Sequence, residues 1–303
     1  MLVAEAVVTR VEIGSDARVS GLVVKRKDGS EDRAVGRIYV IAAHAIETPK
    51  LLLQSRGERA PNGVANSSDQ VGRNLMDHPS QLHWALAPES IGAFRGPLST
   101  AGIEAPRSGD WRADHAAFRI QLDNRGWEWP AGTPESTVRE LVKRGLRGAE
   151  LDRALADHTS REIDIVPMVE QLPSPTNRIV PDFERRDALG IPRPRITYDI
   201  DDYSRKALEH GRRIAEEIGK AMKVTEMHHG EGLETADHVI GTYRMGRDAR
   251  TSVVDPDQRS HDHSNLFLLG SGVFPTSAAS NPTLTIAALA LRSVEAIRHV
   301  EGA

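Results

Sequence analysis

The residues of this 303-residue chain that could do chemistry are histidines, carboxylates and hydroxyls, because the sequence contains no cysteine. Disulfides, thiolate nucleophiles and cysteine-held zinc or iron–sulfur centres are therefore excluded for these residues. Two histidine clusters, His228-His229 and His261-Asp262-His263, lack the ligand spacing of a known metal motif. They predict solvated loops and no metal centre, so difficult chemistry would need a bound organic cofactor.

The strongest local pattern is an apolar strand over 265–269, a turn at Gly270-Ser271-Gly272 and a helix over 283–300 that Asn281-Pro282 opens. The first N–H groups of a helix are unpaired and lie at the positive end of its dipole, so they suit an anionic group. An ordinary capped core helix behind a buried strand has the same pattern, and the residues alone leave both interpretations open. Residues 284–291 are apolar nearly all round, which predicts that this half of the helix is buried.

The elements around this pattern indicate two flanking segments of one style and a different middle. The first segment predicts a three-stranded meander over residues 3–13, 19–25 and 37–43, and Thr48-Pro49 predicts the start of a helix over 50–55. The middle predicts a strand at 163–169 and helices at 135–155 and 203–223. We therefore expect a discontinuous domain, residues 1–79 and 238–303, with a domain inserted over residues 80–237.

Sequence blocks along nearly the whole chain resemble the glucose–methanol–choline (GMC) oxidoreductase family. In family order they are AAHAIETPKLLL at 42–53, VGRNLMDHP at 71–79, HVIGTYRMG at 238–246, SVVD at 252–255, NLF at 265–267, VFPT at 273–276 and NPTLT at 281–285. The resemblance implies FAD as cofactor and a mixed α/β fold. In that fold an FAD-binding, Rossmann-like domain, incomplete here, carries an inserted antiparallel-sheet substrate domain.

The resemblance also assigns roles to residues. His238 matches the family's catalytic histidine, and Asn281 matches the second position beside the substrate hydroxyl and flavin N5. An imidazole with a pKa near neutrality can take the hydroxyl proton, and an amide can hydrogen-bond the resulting alkoxide. The positions that the resemblance implies for cofactor binding are Val8, Ala43, Gly270, Ser271, Asn281, Pro282 and Thr283.

Three features depart from the family pattern. His44 stands where glycine is usual, which predicts a different backbone path or a changed flavin contact, and Gly270 replaces a common aspartate. The GxGxxG turn that binds a dinucleotide pyrophosphate does not occur in these 303 residues. We therefore expect a truncated chain or one half of a split enzyme, completed by an N-terminal chain and inactive alone, with weak FAD binding by itself.

The substrate is indicated by residues 170–178 and 187–194, which resemble the bacterial sugar and polyol dehydrogenases of the family, including its glucose, gluconate, sorbitol and glucoside-3 types. This resemblance implies oxidation of a CH–OH group of a sugar, polyol or related alcohol. It also implies an external electron acceptor, which is a cytochrome, a quinone or oxygen. Four tryptophans of the middle segment either stack on a sugar face or pack the sheet, namely Trp84, Trp111, Trp127 and Trp129.

Composition narrows the remaining partners. The net charge of −4 is mild and its signs are interspersed, so we expect no nucleic-acid partner. No run approaches the roughly 18 apolar residues of a membrane span, and the first ten residues lack the pattern of a signal peptide. The sequence thus predicts a cytoplasmic or periplasmic protein without a membrane span.

Overall fold

The computed structural model describes residues 2–93, 97, 99–124 and 134–301. In chain order its strands and helices are β1 (Ala6–Ile13), β2 (Val19–Arg26), β3 (Glu31–Ala34), β4 (Tyr39–Ile41), α1 (His44–Gln54), β5 (Pro79–Ser80), β6 (His83–Leu86), β7 (Ser99–Ile103), β8 (Phe118–Asp123), α2 (Pro134–Lys143), α3 (Gly148–Arg161), β9 (Glu162–Val169), β10 (Arg178–Arg186), β11 (Pro192–Thr197), α4 (Asp202–Met222), β12 (Glu226–His229), β13 (Glu234–Thr235), β14 (Leu266–Leu268) and α5 (Thr283–Glu301). This mixture of helices and mainly antiparallel sheets confirms the α/β class.

The first three strands form the expected antiparallel meander, but its third strand is not where the sequence predicted it. Residues 31–34 take that place instead of residues 37–43. A turn at Gly29 folds β3 back on β2, where Arg26 forms an ion pair with Asp32 at 2.7 Å. Because β3 is charged and fully exposed, it makes a suitable edge strand.

The strand β4 leaves the meander and pairs in parallel with β14, so that segments from the two ends of the chain meet. Tyr39, Ile41, Leu266 and Leu268 all face one apolar core, which also takes in α1 residues. Burial alternates along β4, so Tyr39 and Ile41 both point to the same side. Pairing with β14 buries these two side chains in the core, whereas a position beside the exposed strand β3 would not. The division of the chain into the two predicted domains stays a prediction.

The middle segment forms an antiparallel sheet, as predicted. Its strands follow the path β12-β6-β9-β5-β13, with β8 on β9 and β7 on β8. The helix predicted at 203–223 is confirmed as α4, which Asp201 caps by accepting a hydrogen bond from the Ser204 amide at 2.8 Å. The single helix predicted at 135–155 is two helices, because Gly145 ends the first with a φ of 94° and the second begins only at Gly148, with a φ of 51°.

The two ends of the middle segment pair with each other in the sheet. Pro79 and Ser80 of β5 are register partners of Thr235 and Glu234 of β13. The first and last residues of this long segment therefore lie next to each other.

Helix α5 has the predicted extent, but the prediction that residues 284–291 are buried is wrong. Leu284 is 84% exposed and Leu291 is 72% exposed, whereas Leu289 packs against the core. The described residues therefore cover the side of this helix that carries Leu289 and leave Leu284 and Leu291 exposed. None of the helices described combines the length and apolar character that a membrane crossing requires.

Candidate active site

The two predicted catalytic residues lie next to each other. The Nε2 atom of His238 is 3.3 Å from Nδ2 of Asn281, although 43 residues separate them in the chain. The amide orientation of Asn281 follows from Arg119, whose Nη1 can only donate and lies 3.4 Å from Oδ1. A ring nitrogen and an amide N–H group therefore face the same space.

Two sequence blocks cross at this point and position His238. Met76 of the VGRNLMDHP block and Ile240 of the HVIGTYRMG block exchange backbone hydrogen bonds of 3.0 and 2.9 Å. Gly241 has a φ of 92°, and a Cβ atom there would overlap the carbonyl oxygen of Asn74. Only glycine fits this crossing, which explains the glycine in the second block.

The carboxylate of Asp77 holds the residues around His238. Its Oδ1 accepts from the backbone N–H groups of His78 at 2.6 Å and His238 at 2.9 Å, and its Oδ2 accepts from the Thr235 hydroxyl. Burial lowers the pKa of His238 and the charge of Asp77 raises it, with the effect of burial the larger. The net direction is downward, so His238 is neutral around pH 7 and can accept a proton.

Asp77, His78 and His238 place ligand atoms within 4.8 Å of one another, the spacing of a metal site. These polar atoms already have hydrogen-bond partners. Asp77 accepts from the backbone N–H groups of His78 and His238, and the two imidazole rings are in contact. We interpret the group as a hydrogen-bonded cluster, and the absence of a metal stays a prediction.

Helix α1 is tied to the same block through a proline. The prediction that Thr48-Pro49 starts this helix is wrong, because α1 begins four residues earlier, at His44. Pro49 has no N–H group, so it leaves the carbonyl of Ala45, four residues back, without its helical partner. The Thr242 hydroxyl donates to that carbonyl at 2.6 Å, which compensates the loss.

The backbone at His44 has the conformation of a glycine position, while both alternatives for this residue, a different backbone path or a changed flavin contact, stay predictions. Its φ is 71°, in the left-handed region that glycine adopts freely. An L-residue there costs about 1–2 kcal/mol. The side chain is exposed, and its Nδ1 accepts from the Ile46 amide at 3.3 Å.

The glycine turn after β14 lies alongside the HVIGTYRMG block. Ser271 donates from Oγ to the Val239 carbonyl at 2.6 Å, directly beyond His238. Gly272 allows the buried ring of Tyr243 to pack on the backbone, where any Cβ would overlap it. Gly270 has a φ of 113°, a backbone conformation that the aspartate common at its position would adopt only with strain.

The other predicted cofactor positions are spread over three elements. Val8 is half-buried in β1 and packs against the core, and Ala43 precedes α1 with its N–H donating to Thr48 Oγ1 at 3.1 Å. Pro282 and Thr283 start α5, next to Asn281. The structure thus brings Ser271, Asn281 and the start of α5 to His238, and within the described ranges no hydrogen bond joins Val8 or Ala43 to them. Their cofactor role stays a prediction.

A cleft of about 290 Å³ opens on His238 and Asn281. Its floor is the antiparallel sheet, and its wall is the segment before His238. The polar side chains that line it are Ser80, Gln121, Asp123, Glu234, Thr235 and Asp237. Asp123, Glu234 and Asp237 give this lining an acidic character, and the guanidinium of Arg119 lies at its edge, 3.4 Å from the Asn281 Oδ1 atom.

The other histidines and tryptophans singled out in the sequence do not line the cleft, as far as the structure describes them. His263 is buried, with Nδ1 2.7 Å from the Ala17 carbonyl, so the prediction of a solvated loop is wrong there. It is also wrong for His228 and His229, which lie in strand β12. Trp84 is buried in β6, and Trp111 stacks on His115 with ring centroids 4.6 Å apart. Trp127 and Trp129 lie outside the described residues.

Sequence reasoning missed several residues of this site. Asp77 and His78 stand in a block that was recognised only as a family signature, and its DHP sequence was the available signal. Arg119, Gln171 and Ser277 have no such signal, because their proximity depends on how the sheet packs against the chain end.

Comparisons with known proteins identify the family. Residues 1–80 match the N-terminal GMC oxidoreductase family model and residues 173–290 match the C-terminal one. The chain is 40% identical over 296 residues to the fructose dehydrogenase large subunit of Gluconobacter japonicus, covering 98% of this chain and 53% of that protein. It is 25% identical over 314 residues to the gluconate 2-dehydrogenase flavoprotein of Pantoea cypripedii, covering 97% and 50%.

A solved structure agrees on the fold. A variant of the formate oxidase from Aspergillus oryzae RIB40 superposes with a TM-score of 0.70 at 17% identity, covering 97% of this chain and 60% of that one. The chain belongs to the GMC oxidoreductase family, whose enzymes use FAD. It spans about half the length of the curated relatives it matches.

Proposed function

We propose that this chain carries the proton-accepting and alkoxide-binding residues of an FAD-dependent enzyme that oxidises a CH–OH group of a sugar, polyol or related alcohol. The observation that carries this proposal is the pair of His238 and Asn281, 3.3 Å apart at the mouth of a polar cleft. His238 takes the hydroxyl proton, and the Asn281 amide hydrogen-bonds the oxygen that becomes negative.

The described residues fit the ring end of FAD. The first N–H groups of α5 have no intrahelical partners and follow directly on Asn281, so they suit a group that carries negative charge. Ser271 and the start of α5, Pro282 and Thr283, would hold the cofactor here. When bound, FAD supplies a hydride acceptor for the carbon of the substrate. The chain's own residues orient the hydroxyl and accept its proton.

The cleft favours a neutral polyhydroxy substrate. Gln121 and the carboxylates of Asp123 and Asp237 offer acceptors for hydroxyl groups, whereas a substrate carboxylate would be repelled there. The relation to a fructose dehydrogenase large subunit supports a neutral sugar. Which sugar is oxidised, and whether a cytochrome, a quinone or oxygen takes the electrons, are the finer parts of this proposal.

We expect fructose, glucose and sorbitol to be oxidised with a higher kcat/KM than gluconate. The measurement uses the flavin-loaded protein, completed to family length, with an artificial dye as acceptor. Asp237→Asn should narrow the gap between neutral and acidic substrates, while Asp152→Asn, the same charge change on exposed α3, should leave it unchanged. A preference for gluconate in the unaltered protein would contradict the substrate class.

The same proposal includes a second polypeptide segment that completes the FAD site. Support comes from the exposed face of α5, where Leu284 and Leu291 lack cover, and from relatives about twice as long. An apolar helix face of this kind is typical of an interface. The segment contains the pyrophosphate-binding turn and is joined to this chain or supplied by a complementing chain.

We therefore expect these 303 residues by themselves to bind FAD weakly. Gel filtration after incubation with FAD should remove the flavin, as judged by absorbance of the protein peak. Addition of the N-terminal half of a GMC relative should retain it, with bovine serum albumin as the control addition. A chain that stays yellow alone, with one flavin per molecule, would contradict the need for completion.

A further inference from the structure

The side chain of His78 lies directly behind His238 and is fully buried. The two rings meet edge to face, with centroids 5.0 Å apart and an interplanar angle of 82°. Their Nδ1 atoms are 2.9 Å apart, which is hydrogen-bond distance. One of these two nitrogens must donate a proton and the other must accept it.

The opposite nitrogen of His78 decides which one donates. Its Nε2 lies 3.0 Å from the Ser277 carbonyl oxygen and 3.1 Å from that of Ala278. Carbonyl oxygens only accept, so this Nε2 carries a hydrogen. Burial lowers the pKa of His78, which leaves the ring neutral with a single proton. Its Nδ1 is therefore an acceptor.

The consequence for His238 follows from the shared contact. Since His78 Nδ1 accepts, Nδ1 of His238 donates, and a neutral His238 then has a bare Nε2. That Nε2 faces the cleft and the amide of Asn281, which donates rather than accepts at 3.3 Å. All hydrogen bonds of the two rings agree with this one arrangement of protons.

The carbonyls that set this arrangement are themselves held firmly. The Ser277 hydroxyl donates to the Gln171 carbonyl at 3.0 Å and accepts from the Gln171 amide at 2.8 Å. Both residues are buried, with 6% and 1% of their surfaces exposed. Gln171 of the middle segment thereby holds Ser277, whose carbonyl group is one of the two to which His78 donates.

We propose that His78 is a positioning residue that fixes the tautomer of His238, so that the unprotonated Nε2 faces the substrate. The use of that nitrogen as a base rests on the proposed function, but the tautomer itself does not. Without an acceptor at His78, His238 would be free to place its proton on Nε2, and it could not then take one from a hydroxyl group. This is the arrangement by which a second residue orients a catalytic imidazole.

The tautomers can be measured directly on this chain without cofactor. Histidine labelled with ¹⁵N gives long-range ¹H–¹⁵N correlations that distinguish the two neutral forms, and His238→Ala identifies the signals of His238. Above pH 7.5 we expect the proton on Nδ1 of His238 and on Nε2 of His78. A wild-type spectrum with the proton of His238 on Nε2 overturns the proposal, whatever the variants do.

Two variants separate the contacts of His78. His78→Asn places an amide oxygen near the position of Nδ1, so it can still accept from His238, whereas His78→Gln can keep only the donation to the carbonyls. We expect His238 to keep its tautomer in H78N and to become mixed in H78Q. An unchanged tautomer in a folded H78Q, checked by circular dichroism, also overturns the proposal.

Activity of the flavin-loaded, completed enzyme gives the second measurement. H78Q should lower kcat on the order of 10–100-fold with little change in KM, and H78N should recover most of this loss. If His238→Ala keeps full activity while the tautomer is as expected, the proposed function fails and the positioning stands. If His238→Ala is inactive but the tautomer is wrong, only the positioning fails.

Discussion

Replacing His238 by alanine in the flavin-loaded, completed enzyme should slow flavin reduction by substrate on the order of 100- to 10,000-fold. This is the range that one general base contributes, because the hydroxyl proton then has no acceptor at hydrogen-bond distance. Stopped-flow absorbance under anaerobic conditions measures the step before any acceptor takes part. An H238A variant that reduces its flavin at the wild-type rate would show that the base has been assigned wrongly.

The pH dependence of the same step provides a further check. Only the unprotonated imidazole accepts a proton, so the rate should rise with pH and level off above the pKa of His238. Burial lowers this pKa from its ordinary value near 6.5, which places the midpoint on the acidic side of that value. His299→Ala, an exposed change near the end of α5, should leave both the rate and the profile unchanged.

Replacing Gly241 by alanine should cost about 2–5 kcal/mol of unfolding free energy. Overpacking contributes about 1–3 kcal/mol, since the new methyl group would overlap the Asn74 carbonyl oxygen. The left-handed backbone, with a φ of 92°, adds about 1–2 kcal/mol. Urea unfolding monitored by circular dichroism measures the loss as a lower midpoint at an unchanged slope.

Gly190 provides the matched control for this change. It has a φ of 76°, but a Cβ built there has nothing within 4 Å. Gly190→Ala should therefore show only the backbone cost of about 1–2 kcal/mol. Equal losses for the two variants would mean that the close approach of the two sequence blocks does not matter for stability.

Local sequence signals predicted some elements well. Helix α4 follows from its amphipathic spacing, and β9 follows from a strand-like apolar run. Errors arose where a partner distant in sequence decided the outcome. Residues 39–41 look like the next strand of a meander, yet they pair with Leu266–Leu268 because both strands bury their side chains in one core.

The start of α1 and the exposure of α5 show two further reasons for error. Pro49 lies inside α1 because the Thr242 hydroxyl, far along the chain, replaces the missing helical hydrogen bond. The apolar residues of α5 predict burial correctly only if something covers them, and composition cannot tell what does. In both cases the deciding contact is tertiary rather than local.

The sequence predicted those residues of the candidate site that stand in blocks resembling the family. His238 and Asn281 follow from blocks that resemble the family, and the structure brings them together. The roles of Asp77 and His78 could not be derived from spacing, since they depend on the crossing of two blocks with some 160 residues between the two histidines. The left-handed backbone of His44 could not be predicted either, because a histidine residue does not by itself indicate a positive φ.

The pairing of β5 with β13 has a consequence for how this protein can change. Because the two ends of the middle segment are hydrogen-bonded to each other, insertions or deletions within it do not alter the distance that the chain must close at the site. Loop-closure entropy grows only with the logarithm of loop length, about 0.6 kcal/mol for each doubling. Loops within the middle segment can therefore change in length, while the pairing of β5 with β13 keeps the cleft wall and the histidine pair in place.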